Sequence, residues 1–178
     1  NKDTFPVWSP DGESIAFGSR RTLKKGDPGG ELWVINVRGG EARLLLKMSG
    51  GISNVRWSAD GRRILFLSAV LEEKKEGEAK VVRGLPVYFD VFGFVYNLRR
   101  HLFVFDVASG RVKQLTKGDM DVLYAEFSSK GNKIAYVAEK GELKRFGMLI
   151  TDIHVIPAQG GKADKITKSN MRIGSLSW

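Results

Sequence analysis

Pro6-Val7-Trp8-Ser9-Pro10-Asp11-Gly12-Glu13-Ser14-Ile15-Ala16-Phe17 decides the fold, because the chain writes it more than once. It returns as Val55-Arg56-Trp57-Ser58-Ala59-Asp60-Gly61-Arg62-Arg63-Ile64-Leu65-Phe66. It returns again as Ala125-Glu126-Phe127-Ser128-Ser129-Lys130-Gly131-Asn132-Lys133-Ile134-Ala135-Tyr136. Ser175-Leu176-Ser177-Trp178 reads as the same opening up to its aromatic residue. The four aromatics, Trp8, Trp57, Phe127 and Trp178, are spaced by 49, 70 and 51 residues. Self-similarity at such a period marks a repeat architecture, in which each unit needs its neighbours to bury its faces.

Every unit also carries a second half. Leu32-Trp33-Val34-Ile35-Asn36-Val37, a Gly39-Gly40 pair and Ala42-Arg43-Leu44-Leu45-Leu46 close the first. Leu102-Phe103-Val104-Phe105-Asp106-Val107, Ser109-Gly110 and Val112-Lys113-Gln114-Leu115-Thr116 close the second. Ile153-His154-Val155-Ile156, Gly160-Gly161 and Ala163-Asp164-Lys165-Ile166-Thr167 close the third. Pro presets φ at the second position of Ser9-Pro10-Asp11-Gly12, and Gly tolerates the exit geometry, so this is a tight turn. The Gly-Gly and Ser-Gly pairs supply the positive φ of hairpin turns. The intervening runs are short and rich in Val, Ile, Phe and Trp, as strands are. Several are apolar on both faces, as sheets sandwiched between two others must be.

Four short strands per unit at this period predict an all-β fold: a partial β-propeller of four-stranded antiparallel blades. The expected blades are 5–48, 52–117 and 122–168, with the start of a fourth at 173–178. A β-sandwich is the rival, but it does not require the aromatic opening to recur. The four aromatics are expected in the packing between blades, with Trp57→Ala costing roughly 3–5 kcal/mol as a core truncation. Closing a ring takes at least four blades, so the chain is expected to be a piece of a longer propeller.

Composition narrows the class. With 42% apolar and 28% charged residues the chain is ordinary for a globular protein. No apolar run approaches the roughly 18 residues of a membrane span. The first residues, Asn1-Lys2-Asp3-Thr4, have no signal-peptide pattern. The sequence has no cysteine, so no disulfide or thiolate site, which suits the cytoplasm. The net charge of +9 is spread along the chain: 11 basic and 7 acidic residues in 1–69, 6 and 5 in 70–100, 12 and 8 in 101–178. A nucleic-acid surface needs clustered Lys and Arg, so no nucleic-acid partner is expected.

The second unit is about 20 residues longer than the others, with the excess at about 70–100. It opens with the charge run Glu72-Glu73-Lys74-Lys75-Glu76-Gly77-Glu78. Five aromatics then fall within nine residues, from Tyr88 through Phe92 and Phe94 to Tyr96. So apolar a segment is expected to pack on a blade, line a channel or meet a partner domain.

Trp-Ser-Pro-Asp-Gly openings with Leu-Trp and Gly-Gly closings resemble the propellers of the prolyl oligopeptidase family of serine peptidases, and TolB-type propellers share them. The stretch from Arg83 through Asp90, Gly93 and Phe94 to Arg100-His101-Leu102-Phe103-Val104-Phe105-Asp106 resembles the second-unit insertion of acylaminoacyl peptidases. The resemblance implies a propeller that caps an α/β-hydrolase domain and filters access to a Ser-Asp-His triad outside this segment. It implies peptide substrate as a partner and no cofactor.

The chain's own residues supply no nucleophile. A hydrolase elbow needs G-x-S-x-G between a strand and a helix. Gly12-Glu13-Ser14-Ile15-Ala16 and Gly51-Ile52-Ser53-Asn54-Val55 lack the final Gly and lead into strands. Two histidines, His101 and His154, without Cys or an H-E-x-x-H helix make no zinc site. Asp11 and Asp60 recur at the turn and are expected to stabilise it. Gly26-Asp27-Pro28-Gly29-Gly30 lacks the ending of a phosphate loop. No catalytic residue and no metal ligand is therefore assigned. Arg83, Tyr88, Phe92, Phe94, Arg99 and Arg100 are the candidates for substrate or interdomain contact. Open blade faces and strand edges are expected to drive self-association. The alternative function is a TolB-type protein-interaction module with no enzyme attached.

Overall fold

Each repeat opening folds as strand, turn, strand. Gly12 N–H donates to Ser9 O (2.9 Å), Ser9 Oγ to Asp11 Oδ1 (2.5 Å) and Glu13 N–H to the same carboxylate oxygen (2.9 Å). Gly12 sits at φ 72°, the left-handed conformation that Gly reaches without a Cβ penalty. Ser58 and Asp60 repeat these bonds around Gly61. In the third copy Lys130 stands in the aspartate's place, and Asn132, two residues on, accepts from Ser128 Oγ at 3.1 Å instead. The Ser9 hydroxyl, with the Glu13 amide, holds the Asp11 carboxyl below its ordinary range; Ser58 does the same for Asp60. Both aspartates are turn residues, as expected.

In the computed structural model, which describes residues 3–71, 87–89, 93–95, 98–140, 150–168 and 172–178, these turns build three antiparallel four-stranded sheets. Blade 1 contains β1 (Thr4–Trp8), β2 (Ser14–Ser19), β3 (Gly30–Asn36) and β4 (Arg43–Met48), in that order. Blade 2 contains β5 (Ser53–Trp57), β6 (Arg63–Leu71), β9 (Leu98–Asp106) and β10 (Val112–Gln114). A separate hairpin, β7 (Val87–Phe89) and β8 (Gly93–Val95), is inserted between β6 and β9. Blade 3 contains β11 (Met120–Phe127), β12 (Lys133–Lys140), β13 (Thr151–Pro157) and β14 (Asp164–Lys165). The architecture is that of a partial β-propeller.

The core lies between the sheets, and the period-2 alternation of a strand divides it. On β6, Ile64 and Phe66 join Ala16 and Leu32 of blade 1, while Leu65 and Leu67 join Ile134 and Tyr136 of blade 3. On β9, Phe103 and Phe105 face blade 1, and Leu102 and Val104 face blade 3. Blade 2 is thus buried on both faces, which is why its strands read as nearly continuous apolar runs.

Polar contacts fix how blade 2 meets blade 3. Asn54 Nδ2 donates to Ala125 O at 2.8 Å, Arg56 Nε to Glu126 Oε2 at 2.9 Å and Arg63 Nη2 to Gly131 O at 2.8 Å. The Arg63 guanidinium also lies 5.7 Å from the centre of the Phe127 ring. Asn54 reaches across from a β-bulge at φ 50°, and its counterpart Phe5 takes the same conformation at φ 54°.

The opening aromatics do not share one environment. Phe127 is 5% exposed in the core, Trp57 is half-buried against blade 1, and Trp8 is 60% exposed. Trp57 and Phe127 pack on the sheet that precedes their own, and no described sheet precedes blade 1. Trp178 is exposed as well, in a segment without strand.

Candidate functional site

Strand alternation places the β2–β3, β4–β5, β6–β9 and β12–β13 connections at one end of the sheets. Ala69 N–H donates to Gly50 O (3.1 Å) there, tying the blade 1–2 connection to the strand that leads into the insertion. This insertion end holds Arg99 and Arg100, at the start of β9, and a set of buried polar groups.

The third strand of each blade enters from this end with a buried polar side chain. The registers Phe17–Trp33, Phe66–Phe103 and Tyr136–His154 are equivalent, so Glu31, His101 and Asp152 are too, each two residues before the partner in its pair. All three are buried. Glu31 accepts from Thr22 through its amide (3.2 Å) and hydroxyl, and from Trp33 Nε1 (3.1 Å). Lys47 Nζ lies 3.3 Å away. Burial pushes the Glu31 carboxyl upward, but these donors outweigh it and hold the group below its ordinary value. His101 Nδ1 lies 3.2 Å from Thr116 Oγ1, which also accepts the Leu102 N–H at 2.9 Å. Asp152 pairs with Lys165 Nζ at 2.6 Å, and Thr167 Oγ1 donates to it at 3.3 Å. Thr167 repeats the role of Thr116 by accepting the Ile153 N–H at 2.9 Å.

Two candidate arginines stand on regular strand rather than in the insertion. Arg99, with 18% of its side chain exposed, pairs with Asp119 at 2.5 Å. Arg100 donates its backbone N–H to Asp121 Oδ1 at 2.9 Å, and its side chain is exposed. Asp119 and Asp121 come from the segment that opens blade 3, so both contacts bridge blades 2 and 3. Tyr88 and Phe94 are directly opposite each other across the inserted hairpin. Arg83 and Phe92 lie outside the described residues.

Sequence reasoning weighed His101 only as a metal ligand and set it aside, and it did not mark Glu31, Asp152, Asp119 or Asp121. A signal existed for the first three: Glu31-Leu32-Trp33, His101-Leu102-Phe103 and Asp152-Ile153-His154 each place a polar residue two before a ring. The pairing of Arg99 with Asp119 had none, because contacts between sheets leave no local periodicity.

Ser14 and Ser53, the serines of the two elbow-like stretches, begin β2 and β5. His154 stacks on Tyr136 with centroids 5.1 Å apart. Among the described residues no three His, Cys, Asp or Glu side chains cluster as metal ligands, and no helix is long and apolar enough to cross a membrane.

No protein-family signature matches the chain. Over 151 residues it is 32% identical to the uncharacterized peptidase YuxL of Bacillus subtilis (strain 168), a match that covers 79% of the chain. The chain spans 22% of that protein's length. In fold it is similar to the acylaminoacyl peptidase of Pyrococcus horikoshii, with TM-score 0.66, 21% identity, and coverage of 93% of this chain and 25% of that one. It is also similar to a putative TolB of Agrobacterium tumefaciens, with TM-score 0.60, 17% identity, and coverage of 93% and 50%. The chain therefore resembles the propeller portion of such peptidases, as its openings and insertion suggested.

Proposed function

We propose that this chain serves as the noncatalytic propeller portion of an acylaminoacyl-type serine peptidase of the cytoplasm. Its insertion end gates or orients peptide for an α/β-hydrolase domain carried by the rest of the protein. The observation that carries this reading is the match to a peptidase of which the chain spans about a fifth. The inserted hairpin agrees with it. It is inserted between β6 and β9, and Arg100 near the start of β9 has an exposed side chain that offers positive charge to a peptide carboxylate or a second domain. Arg83, Tyr88, Phe92 and Phe94 complete the proposed contact set.

The test uses the full-length peptidase. Replacing Tyr88 and Phe94 by Ala, or Arg100 by Glu, should change kcat/KM for longer peptides relative to a single-residue chromogenic amide, which needs no gate. Equal loss on both substrates, or none on either, would refute the gating role. A second reading, a TolB-type interaction module, is favoured by the TolB likeness, in which this chain covers 50% of the other. That reading requires no hydrolase domain, so fluorophosphonate labelling of the full-length protein separates the two.

A further inference from the structure

The two interfaces between described blades are filled differently. Between blades 2 and 3, Arg63 takes the space above the Phe127 ring. Its guanidinium lies 5.7 Å from the ring centre and donates to Gly131 O at 2.8 Å. Asp106, opposite Arg63 in the strand register, is held below its ordinary range chiefly by Ser109 and also by the charge on Arg63. Phe127 is almost fully enclosed. Between blades 1 and 2 the same register sets Ser14 opposite Asn36. A serine is too short to span what an arginine spans. The result is an open cleft of about 360 Å³, with Ser14, Asn36, Glu41 and Arg43 on the blade 1 side and Trp57 and Val107 on the blade 2 side. Trp57 stays half-buried although both blades that form this interface are in place.

This cleft keeps the parts that receive a guanidinium and lacks the arginine that brings one. The indole of Trp57 is a better face for a cation than the phenyl ring of Phe127. Gly61 repeats Gly131, with φ 67° against 66°, in a turn closed by the same bond to the serine carbonyl. The charges change in the direction that favours a cation. Ser14 and Glu41 stand where the next interface has Arg63 and Arg111, and Asn36 stands where it has Asp106. These three places go from net positive to net negative. Arg43 corresponds to Lys113, which reaches Gln159 O at 2.6 Å in the same interface that holds Arg63. A cation at that place is therefore compatible with a guanidinium over the ring.

We propose that the cleft between blades 1 and 2 binds the side-chain guanidinium of an arginine from a polypeptide partner, over the Trp57 ring and beside Glu41. The volume lies at the small end of the ~300–1,000 Å³ of ligand pockets, which suits one long side chain. Asn36 and Glu41 are exposed at its rim, so the backbone that carries the arginine stays outside. Ser14 begins β2 and Asn36 ends β3, which puts the cleft at the end of the sheets opposite the insertion. The site is thus separate from the proposed peptide gate, and its failure would leave that reading untouched.

Saturation-transfer NMR on the full-length protein tests this, with the capped tripeptide acetyl-Gly-Arg-Gly-amide as the probe. The peptide should bind, and its citrulline counterpart, a neutral isostere, should bind about tenfold more weakly or less well still. Ser14→Arg supplies from within the guanidinium that Arg63 supplies one blade on. The turn bonds at Ser14 run through its backbone, and Arg63 makes the same ones, so this variant should keep the fold. Its affinity for the arginine peptide should fall by about tenfold or more. Glu41→Lys, at an exposed position that no core contact depends on, should weaken the peptide in the same way by repulsion. Equal binding of the arginine and citrulline peptides overturns the proposal, and so does no binding of either. Unchanged affinity in Ser14→Arg or in Glu41→Lys also overturns it, since the peptide would then sit elsewhere on the protein.

Discussion

Neighbouring residues on β6 provide the sharpest test of the packing. Leu65 and Phe66 are adjacent, fully buried and on opposite faces of blade 2. Phe66 stacks on Phe103 with centroids 5.5 Å apart and planes 12° from parallel. Burying a phenylalanine removes about 150 Å² or more of surface from water, worth ~4 kcal/mol at about 25 cal/mol per Å². That falls within the ~3–5 kcal/mol of Phe→Ala truncations, and Leu65→Ala belongs in the ~2–5 kcal/mol class. With a urea slope of about 2 kcal/mol/M, either variant should lower the unfolding midpoint by roughly 1–2.5 M. The assay is urea unfolding followed by far-ultraviolet circular dichroism, at one protein concentration for all variants. A sheet packed on one face only would lose stability at one of these positions and be nearly indifferent at the other. A midpoint shift below about 0.3 M for either variant would refute a two-sided blade 2.

Other expectations follow from the same contacts. Arg63→Ala removes the bond to Gly131 O and the cation over Phe127, and urea titration should show a loss of about 1–2 kcal/mol. Phe127→Ala should cost more than Trp57→Ala, because Trp57 is only half-buried; the opposite order in midpoint shifts would refute the burial ranking. Glu31 has a folded pKa below its ordinary value of 4.5, so its contribution to stability is complete above that value. It is lost as pH falls through the depressed folded value. Thermal melts from neutral pH downward should therefore show a shallower acid limb in Glu31→Gln than in the parent, and equal acid limbs would refute the linkage.

The strands of the blades and their turns were legible because their causes are local. Asp11 and Gly12 specify the turn through a side-chain bond and a positive φ, both set within a few residues. The candidate site was legible only in part. An aromatic-rich insertion is conspicuous in any sequence, and Tyr88 and Phe94 do pair in a hairpin. Arg99 and Arg100 follow that insertion directly in sequence, yet they belong to β9, and their partners Asp119 and Asp121 come from the opening of another blade.

The sequence by itself determined the repeat, the four-strand unit and the two-sided apolar strands, since each is a pattern of residue types at short range. Only the tertiary structure decided what each equivalent position experiences. Trp8, Trp57 and Phe127 stand in the same place of the same motif, yet one is open, one half-covered and one enclosed. Burial is a property of the sheet next door, and no residue encodes its neighbour's presence. The same holds for Glu31, His101 and Asp152. Their polarity is plain in the sequence, but the threonines and lysines that make their burial tolerable come from other strands and connections brought together by the fold.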